Sequence, residues 1–360
     1  MNYMRRAMSL AHRALGSTSP NPAVGAVLVK DGEVVAEGVT QAAGGDHAEV
    51  VALKQAGEKA KGATLYVTLE PCNHYGRTPP CTSAIIDAGV SEVDIAIRDP
   101  NPSVDGGGVE RLASQNIQTY LGKEAAAVQR QLEAWLKFVT TGKPFVTAKF
   151  AMSLDGKIAT RSGDSKWISG DKARWYVHEM RARTDAMMVG IGTVIADDPQ
   201  LTARDERGDP RERQPLRVVV DSDRRTAPSA RLLSEPGKTL IATYSNTDLL
   251  EIPNNRDTVE ARAFPAQSGK VDLTALTEFL AKERGVTSIM VEGGGTLLGS
   301  LFDLELIDKV VAFIAPTIIG GMLAPSPVGG LGAETMTEAL ELQNVRWKRL
   351  GRDMAIIGYC

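Results

Sequence analysis

Pro71 to Cys81 reads PCNHYGRTPPC, and His47-Ala48-Glu49 stands upstream of it. One imidazole and two thiolates, from His47, Cys72 and Cys81, match the three-ligand count of a catalytic zinc that leaves its fourth position to water. Bound zinc brings the pKa of that water towards neutrality and makes hydroxide available. Hydrolysis by such a hydroxide also needs a proton carrier, and Glu49 lies two residues beyond His47, within reach of the same site. Zinc nucleobase deaminases carry H-x-E followed by P-C-x-x-C. Here eight residues separate Cys72 from Cys81. Alone, that wider spacing leaves open a structural zinc site or two unrelated buried cysteines.

Outward from this stretch, the pattern alternates strand and helix. Ala23 to Lys30 reads as a strand, Asp31-Gly32 as a hairpin turn and Val34 to Val39 as the return strand. Met4 to Leu15, Ala48 to Ala60 and Pro80 to Ala88 have helical character, and Thr64 to Leu69 and Val93 to Ile97 are strand-like. Such alternation predicts an α/β sandwich. Lys123 to Thr141 predicts one helix, and Gly142-Lys143-Pro144 breaks it, giving domains 1–143 and 144–360.

The second half starts again with a strand at Phe145 to Met152. Further strands are expected at Ala186 to Val189, Leu216 to Asp221, Thr239 to Thr243, Ser288 to Val291 and Lys309 to Ala315. Helices are expected at Asp171 to Arg183, Leu273 to Glu283 and Thr296 to Leu301. Arg204 to Gln214 reads as a solvated loop. Ser288 to Val291 runs into Glu292-Gly293-Gly294-Gly295-Thr296 and then an apolar helix. A glycine-rich turn there lets backbone approach a phosphate, with free N–H groups at the helix start.

Composition narrows the function classes. In 360 residues, 43% hydrophobic and 24% charged content excludes a disordered chain. A net charge of −3 argues against a nucleic-acid partner, which a basic excess would mark. The cysteines Cys72, Cys81 and Cys360 do not form a secreted disulfide pattern. The N-terminus reads as an amphipathic helix instead of a signal peptide, and no run approaches the ~20 apolar residues of a membrane span. A cytoplasmic enzyme is the expectation.

The insert carries the sharpest likeness. PCNHYGRTPPC resembles the P-C-x-H-x-G-[KR]-T-P-P-C insert of the riboflavin-biosynthesis deaminases, a branch of the cytidine deaminase superfamily. SPNPAVGAVLV (Ser19 to Val29) and DPNP (Asp99 to Pro102) are similar to that family too. The resemblance implies His47, Cys72 and Cys81 as zinc ligands, Glu49 as acid/base, and Asn21, His74 and Arg77 around the substrate. In the second half, KFAMSLDGKIAT (Lys149 to Thr160), SGDSKWISG (Ser162 to Gly170), GIGTVIADDPQLT (Gly190 to Thr202), VVVDS (Val218 to Ser222) and VEGGGTLLGS (Val291 to Ser300) resemble the reductases of the same pathway.

The implied fold class is α/β throughout. A cytidine deaminase-like α/β/α sandwich would be followed by a dihydrofolate reductase-like α/β domain. By resemblance, NADPH meets Ala151, Trp167, Thr193, Asp197 and Ser222, with its phosphates on Gly294, Gly295, Thr296, Leu297, Leu298, Gly299 and Ser300. The sugar-phosphate substrate meets Lys149, Ser165, Arg181, Leu201, Arg204 and Glu292, where Arg181 and Arg204 suit a phosphate. The expected cofactors are Zn²⁺ and NADPH. The expected partners are pyrimidine ribosylamino phosphates, with no nucleic acid or membrane, and the protein is expected to form a homo-oligomer, a dimer or larger.

Overall fold

The computed structural model describes residues 2–76, 79–101, 107–244 and 258–360. The chain forms two compact units, Met1–Lys143 and Pro144–Cys360.

In the first unit α1 (Tyr3–Ala14) starts at Asn2, whose side chain accepts the Arg5 N–H, and it buries Met4, Ala7, Leu10, Ala11 and Ala14 on one face. Strands β1 (Gly25–Lys30) and β2 (Glu33–Val39) form a hairpin. Asp31 and Gly32 both take positive φ, 52° and 78°, as a turn matched to strand twist requires. Next come α2 (Ala48–Ala56), β3 (Thr64–Leu69), α3 (Cys81–Asp87), β4 (Glu92–Ile97), α4 (Gly108–Ser114), β5 (Gln118–Leu121), α5 (Ala125–Gln131) and α6 (Glu133–Thr141). The sheet order is β2-β1-β3-β4-β5, with β3, β4 and β5 parallel.

Two glycines show how helices reach both faces of this sheet. A Cβ on Gly25 would lie 2.0 Å from the Ala7 carbonyl oxygen in α1, and one on Gly38 would lie 1.9 Å from that of Ala48 in α2. Gly38 pairs with Ala26, the neighbour of Gly25, so the two glycines face opposite sides. The expected single helix at Lys123–Thr141 is two helices. Leu132, at φ −99° and ψ 12°, separates them and is buried in the core with Val128 and Trp135.

The second unit contains β6 (Phe145–Ser153), α7 (Asp171–Ala182), β7 (Ala186–Gly190), α8 (Ile191–Asp197), β8 (Leu216–Val220), β9 (Thr239–Thr243) and β10 (Val259–Ala263). It continues with β11 (Ala266–Gln267), β12 (Lys270–Val271), α9 (Leu273–Arg284), β13 (Ser288–Val291), α10 (Gly295–Asp303), β14 (Lys309–Ala315), β15 (Gln343–Leu350) and β16 (Asp353–Tyr359). Its main sheet runs β10-β9-β8-β7-β13-β6-β14-β16-β15, parallel from β10 to β14 and antiparallel at β16 and β15. Strands β7, β9 and β13 are buried on both faces, as helices on both sides require. Val218 and Leu240 enter the core under α9 and α10, while Val219 and Ile241 enter the opposite core with Ile191 and Val194 of α8.

Arg204 to Gln214 is more than a solvated loop. Arg211 pairs with Glu179, Arg213 reaches Asp185 at 3.2 Å, and the Gln214 amide donates to the carbonyls of Ala203 and Arg211. These side chains stitch a charged segment onto the parallel sheet.

Candidate active sites

The first site lies at the C-terminal ends of β3 and β4, where ligands gather in parallel α/β sheets. His47 is the N-cap of α2, and Cys81 is the first residue of α3. Cys72 follows β3 after Glu70 and Pro71. The three ligand atoms lie within 4.8 Å of one another. His47 Nδ1 is 3.6 Å from Cys72 Sγ and 3.3 Å from Cys81 Sγ. A tetrahedral zinc with ordinary Zn–N and Zn–S bonds spaces such atoms by about 3.5 Å. The Cys81 N–H also donates to Cys72 Sγ at 3.3 Å, which favours thiolate. The donor set and spacing fit zinc.

Titration of the cluster follows from its contacts. Hydrogen bonding from Cys81 and His47 brings Cys72 well below the ordinary thiol range, while the shared hydrogen bond and burial hold Cys81 up. Glu49 is only 4% exposed. Burial, reinforced by charge on Cys72, pushes it up to about 7, a suitable value for a group that takes and returns protons near neutrality.

A cleft of about 450 Å³ opens on this cluster and is lined by Asn21, His47, Glu49, Cys72 and His74. The His74 Nδ1 is buried without a hydrogen-bond partner. Arg77 lies outside the described residues. Asp99 and Asn101, quoted above only within the DPNP segment, line the cleft as well, and Trp135 and Phe138 of α6 add an apolar wall. Glu70 holds this rim in place, accepting the Asp99 N–H at 3.1 Å and the Val109 N–H at 3.0 Å. Burial raises the Asp99 pKa.

The second unit carries two cavities that share Ile158, Ser165, Thr193, Asp197 and Gly294 in their linings. The larger, about 890 Å³, follows the ends of β7 and β8 and the start of α10. Thr193, Asp197, Ser222, Gly294, Thr296, Leu297 and Ser300 line it. Asp221, fully buried, shapes its rim by accepting the Arg225 N–H and both the N–H and hydroxyl of Thr226. The Ser222 hydroxyl accepts the Val271 N–H at 3.1 Å and ties the small β11–β12 hairpin to the cavity.

The smaller cavity, about 560 Å³, is lined by Lys149, Ala151, Trp167, Arg181, Leu201, Arg204, Glu292, Gly295 and Leu298. Trp167 is 67% exposed, so its ring is available to a ligand, and the Arg174 guanidinium lies 4.7 Å from its centre. The Ser165 hydroxyl donates to Asp197 at 2.7 Å, and the Thr193 hydroxyl accepts the Gly294 N–H at 2.9 Å. Lys149 Nζ lies 3.2 Å from Glu292. Gly299 lines neither cavity. A Cβ there would lie 2.2 Å from the backbone of Gly329, so this glycine lets a loop pack on α10. Both cavities join polar groups to apolar walls at a volume suited to a dinucleotide beside a small substrate, so the residues present fit NADPH.

Residues 1–97 match the family described as the cytidine and deoxycytidylate deaminase zinc-binding region, and residues 144–356 match the RibD C-terminal domain. The chain is 42% identical over 356 residues to the riboflavin biosynthesis protein RibD of Aquifex aeolicus, covering 99% of this chain and 97% of that protein. It is also 42% identical over 367 residues to RibD of Escherichia coli, covering 98% and 97%. Among solved structures, Acinetobacter baumannii RibD is similar with TM-score 0.87 and 38% identity, covering 99% of this chain and 97% of that one. A diaminohydroxyphosphoribosylaminopyrimidine deaminase/5-amino-6-(5-phosphoribosylamino)uracil reductase of Thermotoga maritima has TM-score 0.87 and 37% identity, covering 99% and 98%.

Proposed function

The chain belongs to the RibD family of bifunctional riboflavin biosynthesis proteins, and from that premise we propose which of its residues carry each reaction. It is a zinc-dependent deaminase and an NADPH-dependent reductase. The first reaction hydrolyses the amine of 2,5-diamino-6-ribosylamino-4(3H)-pyrimidinone 5′-phosphate. The second reduces 5-amino-6-(5-phosphoribosylamino)uracil to the ribitylamino product.

The deaminase belongs to Met1–Lys143 and the reductase to Pro144–Cys360. His47, Cys72 and Cys81 would hold zinc, which when bound would lower the pKa of water and make hydroxide available for attack at the ring carbon bearing the amine. Glu49 takes one proton from the attacking water and passes it to the ring nitrogen, then carries the second, from the new hydroxyl, to the amine, which leaves as ammonia. Asn21, His74 and Arg77 orient the pyrimidine and its ribose phosphate. The buried, unpartnered His74 Nδ1 supports a polar contact with substrate.

In the reductase, NADPH when bound would supply the hydride that reduces the anomeric carbon of the ring-opened ribose. Ala151, Trp167, Thr193, Asp197 and Ser222 position the cofactor, with Gly294, Gly295, Thr296, Leu297, Leu298 and Ser300 beside its phosphates. Gly299 serves that run by letting the adjoining loop close on α10. Lys149, Ser165, Arg181, Leu201, Arg204 and Glu292 surround the sugar phosphate. Lys149, held against Glu292, delivers the proton that accompanies hydride transfer.

The observation that carries this reading is the His47–Cys72–Cys81 cluster beside the buried Glu49 at the floor of a cleft. NADPH absorbance, followed after addition of the diaminopyrimidine substrate, tests it. Oxidation that disappears in Glu49→Ala means that both sites operate in sequence. Unchanged oxidation in that variant would falsify the assignment of Glu49.

The edge strand β15, exposed along nearly its whole length and carrying Trp347, supports self-association as a dimer or larger. Sedimentation velocity at rising concentration tests it. No described helix is long and apolar enough to cross a membrane. Thiolate ligands and phosphorylated substrates support work in the reducing cytoplasm.

A further inference from the structure

Trp167 lines the smaller reductase cavity from a stretch that has no helix or strand of its own. Side chains hold the backbone of that stretch. Asp164 accepts the Lys166 N–H, Arg352 Nη2 donates to the Ile168 carbonyl at 3.0 Å, and Arg174 donates to the Ser169 carbonyl. Asp353 Oδ2 accepts the Gly170 N–H at 2.7 Å. Arg352 and Asp353 both come from the turn between β15 and β16, far along the chain.

Asp353 is firmly placed, yet it is a costly residue for its position. It pairs with Leu350 across the tight turn Gly351-Arg352, in which Gly351 takes a φ of 69°. That register puts Asp353 on the same face of β16 as Ala355, which shares an apolar cluster with Ala173 and Val177 of α7 and with Phe313. On that face the Asp353 side chain is buried, with the residue only 1% exposed. Its Oδ1 has no hydrogen bond, and Arg352 Nε stands 3.6 Å away, too far for one. A buried carboxyl oxygen left unanswered costs stability. An apolar residue would serve the cluster better, so packing does not account for Asp353. Its grip on Gly170 does.

We propose that Asp353, with Arg352 beside it, is a positioning residue that presents Trp167 to NADPH. The inference rests on the reading that Trp167 meets the cofactor. Arg352 and Asp353 hold the backbone one and three residues beyond the ring. Releasing them moves the ring without removing any group that touches the cofactor.

Calorimetric titration of the full chain with NADPH tests this, beside steady-state oxidation of NADPH with 5-amino-6-(5-phosphoribosylamino)uracil. Asp353→Ala should weaken NADPH binding by about tenfold, the loss expected for a hydrogen bond to a charged group. Asp353→Asn keeps an oxygen for the Gly170 N–H and should recover most of that loss. Arg352→Ala, at an exposed side chain, should weaken binding by about threefold. The KM for NADPH should rise with the dissociation constant, while the KM for the uracil substrate stays within about twofold. Trp167→Ala should weaken binding by itself. Adding Asp353→Ala to it should cost less than about twofold more, because the clamp acts through the ring. If Asp353→Ala does not fold, Arg352→Ala and its double variant with Trp167→Ala carry the same comparison. Full additivity, or an equal rise in both KM values, makes Asp353 a plain anchor of α7 and overturns the proposal. Wild-type NADPH affinity in Asp353→Ala and Arg352→Ala overturns it too. Wild-type affinity in Trp167→Ala overturns the contact on which it rests, and a wild-type chain that binds no NADPH overturns the functional reading itself.

Discussion

Glu292 grips Arg181 along one edge of its guanidinium, with Oε1 2.6 Å from Nε and Oε2 2.8 Å from Nη2. The pair joins the end of β13 to α7. Burial alone would raise the Glu292 pKa, but Arg181 and Lys149 outweigh it and hold the carboxyl well below the usual carboxylate range. A depressed folded value contributes stability above the unfolded value, about 4.3, and loses it as pH falls towards the folded one. Arg181→Ala strands a largely buried charge with only Lys149 to answer it. We expect a loss of about 3–5 kcal/mol at neutral pH, shrinking as the medium is acidified. Denaturant unfolding at neutral and acid pH checks this. A deficit that does not change with pH would show that Arg181 acts by packing alone.

Glu49 and the three ligands have separable tasks. Glu49→Gln keeps the shape and the ligands but removes a proton carrier. It should bind zinc as the wild type does and release ammonia about 10²- to 10⁴-fold more slowly. Cys72→Ala should lose both metal and deamination. A chelator should reproduce the Cys72→Ala result while leaving reduction of the deaminated compound intact, because no zinc ligand lies among the reductase cavity residues. Metal analysis beside ammonia and NADPH assays separates these outcomes. Zinc lost from Glu49→Gln would make that residue structural.

Rare residue types made the first site legible. With four histidines and three cysteines in the chain, a His-x-Glu followed by two cysteines stands out. Continuous apolar strands were also readable: Thr64–Leu69, Thr239–Thr243, Ser288–Val291 and Lys309–Ala315 form over the expected residues. Strand β15 alternates only Val345 and Trp347 with charged residues, too short a signal to mark a strand, and α8 lies within a stretch quoted for its family likeness. The break at Leu132 depends on which residues the core accepts, which helical periodicity does not encode. The Arg181–Glu292 pair spans 111 positions. That relation leaves no trace in local sequence.

Asp221 lies beneath the larger cavity and touches no open space, yet it sets the course of the rim that carries Ser222. It accepts three hydrogen bonds from Arg225 and Thr226. Asp221→Ala leaves those donors unanswered, two of them buried, at about 2–4 kcal/mol. The loop should then move, and NADPH affinity should fall by about tenfold or more, while zinc content is unchanged. A fluorescence titration with NADPH reads the effect. Wild-type affinity in a destabilised variant would confine Asp221 to a structural role.

The family resemblance places Gly295 and Gly299 in a phosphate cradle, and their packing assigns them a second duty. A Cβ on Gly295 would lie 2.8 Å from the Ser326 carbonyl oxygen, and one on Gly299 would lie 2.2 Å from Gly329. The Gly329 N–H donates to the Gly295 carbonyl at 2.9 Å. The loop that approaches here also supplies Pro325 and Leu331 to the larger cavity. Gly299→Ala must push that loop off α10, at about 1–3 kcal/mol. The variant should melt earlier and bind NADPH more weakly, with ammonia release preserved. Gly192→Ala in α8 is the control, because nothing lies within 4 Å of the added carbon and alanine favours a helix. It should melt no earlier than the wild type. If Gly299→Ala melts like that control and binds NADPH like the wild type, the close approach of the loop to α10 is not what shapes the cavity.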